Sequence, residues 1–299
     1  MLDYPAVAAV VAVIRTGSFE AAALELGVTP SAVSQRVKAL EERLGAPLVV
    51  RGAPCVATPA GARLAAHFDQ VMLLEHDLAA DGPGWAGAAA GRAPTLRIAV
   101  NADSLATWFP AAVAGFTRSN GATLDLVLDD EAHTPDRIRS GEVLAAVTTG
   151  GQAVQGCRSL PLGSIRYIAA ASPDYVQRHL KEGVSARTLA HAPVLRFDRR
   201  DDLQRRWMTR AFGGAMDAPT HWVPSTQGFL DLTLCGVGWS MTPLQLAAPL
   251  IAAGRLVDLK PGVHLDVPLF WQHLRITARL LAGLTDAVRA AASEGLRAS

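Results

Sequence analysis

The chain has 299 residues, half of them apolar, with a formal net charge of +1 and three cysteines. A chain of this length can bury sizeable cores and favours two or three domains. The cysteines are scattered without paired spacing, which argues against a disulfide framework or a zinc site. The apolar stretch 6–14 is too short to span a membrane and lacks a basic leader, so we expect a cytoplasmic protein.

Residues 18–51 are typical of a helix-turn-helix followed by a wing. Ser18 is expected to cap the first helix of the pair and Gly27 to end it, while Thr29 caps the second helix with Pro30 at its first position. An earlier apolar helix completes a three-helix core. The second helix of the pair has an apolar stripe at helical spacing, formed by Val33, Val37, Leu40 and Leu44.

A different face of that second helix carries polar side chains that suit a DNA major groove. Ser31, Ser34 and Gln35 are expected to read base edges, whereas Arg36 and Lys38 contact phosphates. An arginine in the wing is expected to enter the minor groove, where negative potential attracts it. The predicted DNA-binding residues are Thr29, Pro30, Ser31, Ser34, Gln35, Arg36, Lys38 and Arg51.

The charge of residues 1–80 limits the affinity for DNA that we expect of one copy. Helix-turn-helix pairs occur in many proteins that never touch DNA, and residues 1–80 hold six Lys/Arg against eight Asp/Glu, a net charge of −2. Only the stretch 29–51 is locally positive. Because phosphate contacts supply most non-specific affinity, one copy should bind DNA weakly, and several copies on one DNA would be needed.

The next stretch predicts how copies are joined. Thr58 and Pro59 open a helical segment to about residue 80, and a glycine-, alanine- and proline-rich hinge follows at 81–94. The apolar residues of this helical segment recur near heptad spacing, which favours pairing with a second copy. The alternative is an amphipathic helix packed on its own domain. The predicted seam consists of Leu64, Phe68, Val71 and Leu78, flanked by His67 and Leu74.

From residue 95 onward, strand and helix patterns alternate, which predicts mostly parallel sheets flanked by helices. In such α/β domains, ligands bind beyond the carboxyl ends of the strands. The candidate strands are 96–100, 123–128, 143–148, 165–171, 193–197, 220–224 and 237–241.

Polar residues that follow these strands are the candidate small-molecule site. Several have simpler explanations: Ser104 and Ser225 can be helix caps, and Asp198 can form a surface ion pair with neighbouring arginines. Asp129, Asp130 and Glu131 fit a solvated loop better than a site. The predicted ligand-binding residues are Asn101, Asp103, Ser104, Thr148, Asp198, Ser225 and Thr226.

Two segments, 32–41 and 44–51, resemble the N-terminal signature of the LysR-type transcriptional regulators. Many members carry arginine where this chain has Gln35, so its base preference need not be theirs. Beyond residue 95 the resemblance narrows to the ArgP/LysG branch, whose members respond to basic amino acids and control their export. The segments that carry it are 99–108, 139–143, 192–194, Asp201-Asp202 and Trp271.

The resemblance implies an α/β fold class with four parts. These are a winged helix-turn-helix (1–58), a linker helix for dimerisation (59–80), a hinge (81–94) and an effector-binding domain (95–299). The last part would be of periplasmic-binding-protein type, with one subdomain at about 95–163 and 266–299 and the other at about 164–265.

The resemblance also implies the function. The chain would be a sequence-specific regulator that senses lysine or arginine and controls an amino-acid exporter gene, working as a homodimer or tetramer on dyad-symmetric DNA with RNA polymerase. A basic effector brings a carboxylate, which Ser104 and nearby N–H groups can receive. It also brings cations, which need carboxylate partners such as Asp103. The alternative is a LysR-type regulator of another pathway that senses a different metabolite.

Other classes fit less well. The sequence lacks a phosphate-binding GxxxxGK[ST] loop, an HExxH motif, a GxSxG elbow and a full GxGxxG, and its eight histidines are dispersed. We therefore expect no catalytic residues, no metal site and no cofactor. A solute-binding protein would explain the C-terminal part, but not residues 1–80 or the missing export signal.

Overall fold

The structure, a computed structural model, describes residues 2–80, 94–120, 122–128, 134–214 and 217–298. Its first unit is a three-helix head with a small antiparallel wing. Ser18 and Thr29 accept hydrogen bonds from first-turn N–H groups, and Gly27 and Gly45 end their helices with positive φ. The first elements are α1 (Tyr4–Thr16), α2 (Phe19–Leu26), α3 (Pro30–Leu44), β1 (Val49–Val50), β2 (Val56–Ala57) and the linker helix α4 (Pro59–Ala80).

The core of the head lies where α1, α2 and α3 meet. Val33, Val37 and Leu40 are almost fully buried in it. Leu44, which the sequence assigned to the same stripe, is 45% exposed, because it is the last residue of α3 before the helix ends at Gly45. The predicted apolar stripe is therefore one residue too long.

The second unit is an α/β domain in which strands and helices alternate, as the sequence predicted. Its elements are β3 (Thr95–Val100), α5 (Ala102–Ala106), α6 (Phe109–Ser119), β4 (Thr123–Leu128), α7 (Thr134–Ser140), β5 (Ala145–Thr148), β6 (Cys157–Ala171), α8 (Pro173–His179), α9 (Ala186–His191), β7 (Val194–Arg196), α10 (Leu203–Phe212), β8 (Thr220–Trp222), α11 (Thr226–Leu234), β9 (Ser240–Pro243), α12 (Leu244–Ala252), β10 (Val257–Asp258), β11 (His264–Leu274) and α13 (Arg279–Gly295).

The prediction of mostly parallel sheets is wrong for the main sheet. Among the described residues, seven strands form it: six lie in the order β10-β6-β11-β5-β3-β4, and the seventh, β9, pairs with β6. Within this sheet, β3 pairs in parallel with β4 and β5, whereas β6 pairs antiparallel with β9, β10 and β11, and β11 pairs antiparallel with β5. The reason is β11, a long strand missed by the sequence analysis, which runs beside β6 for its whole length. The strands β7 and β8 pair in parallel in a separate two-stranded sheet.

The two long strands β6 and β11 connect two halves of the domain, the first with β3, β4 and β5 and the second with β9 and β10. Their pairing has an irregular register where Leu269 faces Gly163 but Phe270 faces Pro161. Beside this bulge, Ser164 forms an antiparallel bridge with Arg297, which follows α13. Gly163 has a φ of +126°, and an added Cβ there would lie 2.6 Å from the Arg297 carbonyl oxygen, so glycine suits this crossing point.

One hydrophobic core extends through both halves of the α/β domain and buries Trp207, Trp239 and Trp271. The predicted hinge at 81–94 lies outside the described residues except for its last position. Among the described residues, no helix is both long and apolar enough to cross a membrane.

The linker helix α4 packs against the head through one face. Leu64 and Phe68 lie against the head core, and Asp69 forms an ion pair with Arg15 of α1. The sequence placed Leu64 and Phe68 in a seam between two copies. Both are half-buried against the core of their own head, and the pairing of two copies through this helix stays a prediction.

A second face of α4 packs against the α/β domain. Leu73 is 1% exposed and belongs to that domain's core. Gly141 has a positive φ and sits so close to α4 that an added Cβ would lie 2.6 Å from Nε2 of Gln70. Asp77 Oδ2 accepts a hydrogen bond of 2.7 Å from the backbone N–H of Arg279, the first residue of α13. The helix thus joins both units.

The contact of Asp77 amounts to a helix cap supplied from another part of the chain. The residue before α13 is Ala278, whose side chain cannot cap, and Asp77 satisfies the first N–H group instead. Asp77→Ala should therefore lower the free energy of unfolding of the α/β domain by about 1 kcal/mol, as removal of an N-cap does. Urea unfolding followed by tryptophan fluorescence measures this, since the domain's core contains buried tryptophans.

Two variants provide controls for this prediction. Asp77→Asn keeps an acceptor oxygen and should retain most of the stability. Glu75→Ala removes an exposed carboxylate two residues away on the same helix and should have little effect. If Asp77→Ala and Glu75→Ala lower the free energy of unfolding equally, the cap does not stabilise the domain.

Candidate DNA-binding and effector sites

The predicted recognition face lies on the outer side of α3. Ser31, Gln35 and Lys38 are exposed, and Ser34 and Arg36 are half-buried. Pro30 occupies the first turn, and the Thr29 hydroxyl accepts from the backbone N–H of Ala32, so these two residues build the helix end. The face therefore presents two hydroxyls, an amide and two cations to solvent, which is a set of groups able to contact bases and phosphates.

The wing is held against the recognition helix by Glu41. Its Oε1 atom accepts hydrogen bonds from the backbone N–H groups of Leu48 (2.7 Å) and Val49 (3.2 Å). Thr58 donates its hydroxyl to the Pro47 carbonyl at 2.7 Å and fixes the other end of the same turn. The sequence analysis missed this role of Glu41, because nothing local distinguishes it from its exposed neighbour Glu42.

Two cations of the predicted DNA surface have partners within the protein. The Arg51 guanidinium lies 5.1 Å from the centre of the Phe19 ring, and Lys38 Nζ lies 3.7 Å from a Glu42 oxygen. Both Lys38 and Arg51 are exposed. Contacts of this kind are weak in water, so each cation can exchange its partner for a phosphate at little cost.

Asp103 is the centre of the predicted effector site. It lies in α5, directly after β3, where Asn101 caps the helix by accepting from the Ser104 N–H at 2.7 Å. The Oδ2 atom of Asp103 accepts a hydrogen bond of 2.6 Å from the Tyr167 hydroxyl, and the Oδ1 atom of Asp103 accepts one of 2.8 Å from the Thr226 hydroxyl. These bonds tie α5 to β6 and to the start of α11, so the carboxylate joins the two halves of the domain.

The electrostatic setting of Asp103 is unusual. Burial raises the pKa of its carboxyl above the ordinary value, and the charge of Asp201 raises it further, whereas the bonds from Tyr167 and Thr226 lower it. Among the described residues, no lysine or arginine forms an ion pair with it. A carboxylate that has lost water and gained no cation is costly, and a positively charged ligand would offset that cost.

The other predicted effector residues are arranged less uniformly. Ser104 is fully buried, and its hydroxyl has no hydrogen-bond partner among the described residues. Ser225 caps α11 by accepting from the Gly228 N–H, directly beside Thr226. Asp198 accepts from two backbone N–H groups of its own loop and pairs with Arg200 at 3.6 Å. Residues 129–131, which the sequence analysis assigned to a solvated loop, lie outside the described residues.

Thr148 faces a separate cavity of about 690 Å³ at the carboxyl end of β5. Gln272 of β11 supports its wall: Nε2 donates to Thr148 Oγ1 and to the carbonyls of Gly150 and Gln152, and Oε1 accepts from the Val154 N–H. The other six predicted effector residues do not line this cavity. Its walls come from residues of α7 (Thr134, Pro135, Ile138, Arg139), residues after β5 (Thr149, Gly150, Gln152–Gln155) and Gln272.

Three residues near the predicted site were not among the residues that the sequence analysis assigned to it. Tyr167 is a buried tyrosine in an apolar strand, and a buried hydroxyl needs a partner, which was a usable signal. Asp201 accepts from the N–H groups of Phe197 and Leu203, and its charge acts on Asp103. Gln272 lies in β11, which was not predicted. Within the described parts of the chain, no group of three or more His, Cys, Asp or Glu side chains could hold a metal ion.

Two protein families match this chain. The family described as "Bacterial regulatory helix-turn-helix protein, lysR family" matches residues 6–62, and "LysR substrate binding domain" matches residues 89–293. The regulator LysG of Mycobacterium tuberculosis is 46% identical over 292 residues, which cover 98% of this chain and 94% of LysG.

Two solved structures are similar over the whole fold. ArgP from Mycobacterium tuberculosis superposes with a TM-score of 0.80 at 45% identity and covers 100% of both chains. Full-length LysG from Corynebacterium glutamicum, with the effector arginine bound, gives a TM-score of 0.68 at 40% identity and covers 99% of this chain and 100% of its own.

The raised pKa of Asp103 predicts how stability depends on pH. Its folded pKa lies above the ordinary value of 3.8, so the stability it contributes is present at lower pH and is lost as the pH rises through the folded pKa. Asp103→Asn keeps the shape and removes this loss. The variant should therefore gain stability relative to the unaltered protein as the pH rises from about 4 to about 8, measured as the difference in free energy of unfolding in urea.

Asp266→Asn is the control, because the pKa of Asp266 is shifted in the opposite direction to that of Asp103. Its hydrogen bond from Arg166 holds the pKa of Asp266 below 3.8, so its contribution is present above that value and is lost only in acid. This variant should be less stable than the unaltered protein by a constant amount across the same range. A stability difference for Asp103→Asn that stays constant or falls with rising pH would contradict the account of its buried charge.

Proposed function

Because the chain belongs to the LysR family of DNA-binding transcriptional regulators, we propose that it is a regulator that senses a basic amino acid, lysine or arginine, and controls the gene of an amino-acid exporter. The observation that carries this proposal is the half-buried Asp103 carboxylate, which is held between the two halves of the effector domain by hydroxyl groups and not by a cation of the described residues. A LysR-type regulator that senses another metabolite is the second candidate. The chain acts by binding, without catalysis.

The chemistry around Asp103 supports a cationic effector. A ligand ammonium or guanidinium would pair with this carboxylate in a setting shielded from water, where charge-assisted hydrogen bonds are strong. The buried Ser104 hydroxyl next to it is free to donate to the ligand's carboxylate. The LysG structure from Corynebacterium glutamicum contains arginine as its effector, which supports the same class of ligand here. We propose Asn101, Asp198, Ser225 and Thr226 as the remaining contacts, and set Thr148 apart from them because it faces the separate cavity at the end of β5.

We propose that the effector works through closure of the two halves. Without it, hydrogen bonds from Tyr167 and Thr226 to Asp103 tie the two halves together; with it, the ligand cation would compete for the same oxygens and change the angle between the halves. The change reaches α13, which packs on α6, and α13 in turn is capped by Asp77 of the linker helix. A ligand shifts such an equilibrium only by its difference in affinity for the two states.

The exposed face of α4 supports a dimer. Leu74 and Leu78 are 45% and 47% exposed, and with His67 and Val71 they continue a four–three–four spacing along one side of the helix. Pairing this face with a second copy would bring two heads onto one dyad-symmetric operator in the cytoplasm, and pairs of dimers would form the tetramer. Two heads on one operator also compensate for the weak affinity expected of a single head, and bending of the DNA between them would alter recruitment of RNA polymerase.

The DNA-binding residues generate one prediction. Gln35→Ala should reduce discrimination between the operator and a mismatched duplex by about 1–3 kcal/mol, because a side chain that reads a base edge is lost. The measurement is a gel shift with an operator selected from random duplexes. Arg36→Ala and Lys38→Ala are the controls: they should weaken binding to both duplexes equally and reduce its salt dependence. Unchanged discrimination for Gln35→Ala would remove it from the reading set.

A second prediction concerns the effector. Among the twenty amino acids, lysine or arginine should raise the melting temperature of the protein most, since a ligand that binds only the folded state stabilises it. By calorimetry, Asp103→Asn should bind that amino acid about tenfold to a hundredfold more weakly, while its binding to operator without effector stays intact. Unaltered affinity would exclude Asp103 from the site, and a melting shift with a neutral metabolite alone would favour the second candidate.

A further inference from the structure

Three residues that line one small cavity beside α10 each carry a buried polar atom without a hydrogen-bond partner. The atoms are Arg196 Nε, Gln204 Oε1 and Trp239 Nε1. Only six such side-chain atoms occur among the described residues, so half of them belong to the lining of this one cavity. Since buried polar groups nearly always find a partner, three of them around one cavity point to a partner that they share.

The orientation of the Gln204 amide is fixed by its other contacts. Its Nε2 donates to the Leu195 carbonyl and to Asp201 Oδ2, both at 3.0 Å. Both of these groups only accept hydrogen bonds, so a flipped amide would place oxygen against oxygen. The amide oxygen is therefore the end of Gln204 that is left without a partner, and it can act only as an acceptor.

The three atoms define the chemistry of what fits between them. Arg196 Nε and Trp239 Nε1 can only donate, and Gln204 Oε1 can only accept. A ligand must therefore accept two hydrogen bonds and donate at least one. A halide has no proton for Gln204, and a metal ion or an ammonium group has no lone pair for the two N–H donors.

The size of the cavity restricts the ligand further. About 10 Å³ is available to the centre of a water-sized molecule, which corresponds to roughly one water. The remaining wall is apolar and is formed by Leu189, Val194, Met208 and Ala218. We propose that this cavity is a binding site for a single structural water molecule that accepts from Arg196 and Trp239 and donates to Gln204.

Such a water would act as a positioning element behind the effector cleft. It joins β7, α10 and the residue just before β9, three segments that meet in the second half of the domain. Gln204 holds Asp201 through its other end, and the charge of Asp201 acts on Asp103. The site therefore fixes the amide that orients the second carboxylate near the cleft. The proposal does not depend on the identity of the effector.

A crystal structure of the full-length protein at about 1.5 Å resolution tests the site directly. The expected result is one ordered water within hydrogen-bond distance of all three atoms. An empty cavity, or three atoms that pair with other protein groups, would overturn the proposal. So would an anomalous peak at this position after a bromide soak, because that result identifies an anion site.

Nuclear magnetic resonance tests the same site in solution. The indole proton of Trp239 should show a cross-peak to a long-lived water, and the signal is assigned by its loss in Trp239→Phe. The matched control is Trp207, a buried neighbour whose indole N–H donates to the Val263 carbonyl at 2.9 Å and should show no such peak. A folded protein in which Trp239 lacks the water cross-peak contradicts the proposal. If Trp239→Phe fails to fold, the crystal structure decides.

Discussion

The structure depends on one helix that packs against two hydrophobic cores. Over 22 residues, α4 turns one side to the head through Leu64 and Phe68 and another to the effector domain through Leu73 and Asp77. An α-helix is stiff, and its side chains recur every 3.6 residues, so these contacts and the exposed third side have fixed relative directions. A shift of the effector domain at α13 would therefore be transmitted to the head through α4, while Leu74 and Leu78 on the third side are exposed to solvent.

Local chemistry made much of the fold predictable, whereas long-range pairing did not. Caps, glycine ends and apolar spacing located the helices of the head, and runs of β-branched and aliphatic residues located β3 and β4 closely. The strand β11 escaped because Pro268 interrupts it, and proline argues against a strand. Its partner β6 lies about a hundred residues earlier in the chain, and no local pattern reports that pairing. The prediction of mostly parallel sheets was wrong for this reason.

The candidate effector site shows the same division. Asp103 and Thr226 were predicted separately, each as a polar residue after a strand, and the structure joins them by a hydrogen bond across 123 positions of sequence. Tyr167 and Asp201 were not predicted, because their roles depend on which strand and loop lie opposite α5. Glu41 is a similar case in the head: its carboxylate serves the backbone of the wing, and this acceptor role has no sequence signature.

The bridge between Ser164 and Arg297 at the crossing point of β6 and β11 has a consequence for how the chain folds as it is made. Every residue of the head precedes the effector domain on the ribosome, and its core closes with contacts from its own residues and the first turns of α4. The effector domain cannot close in the same way, since β5 and β6 wait for β11, and Ser164 waits for Arg297, which lies almost at the end of the described chain. Domains that complete early fold early. The residues that complete the core of the DNA-binding head are therefore made well before those that complete the sensor, so the head can fold while the effector domain still lacks β11 and Arg297.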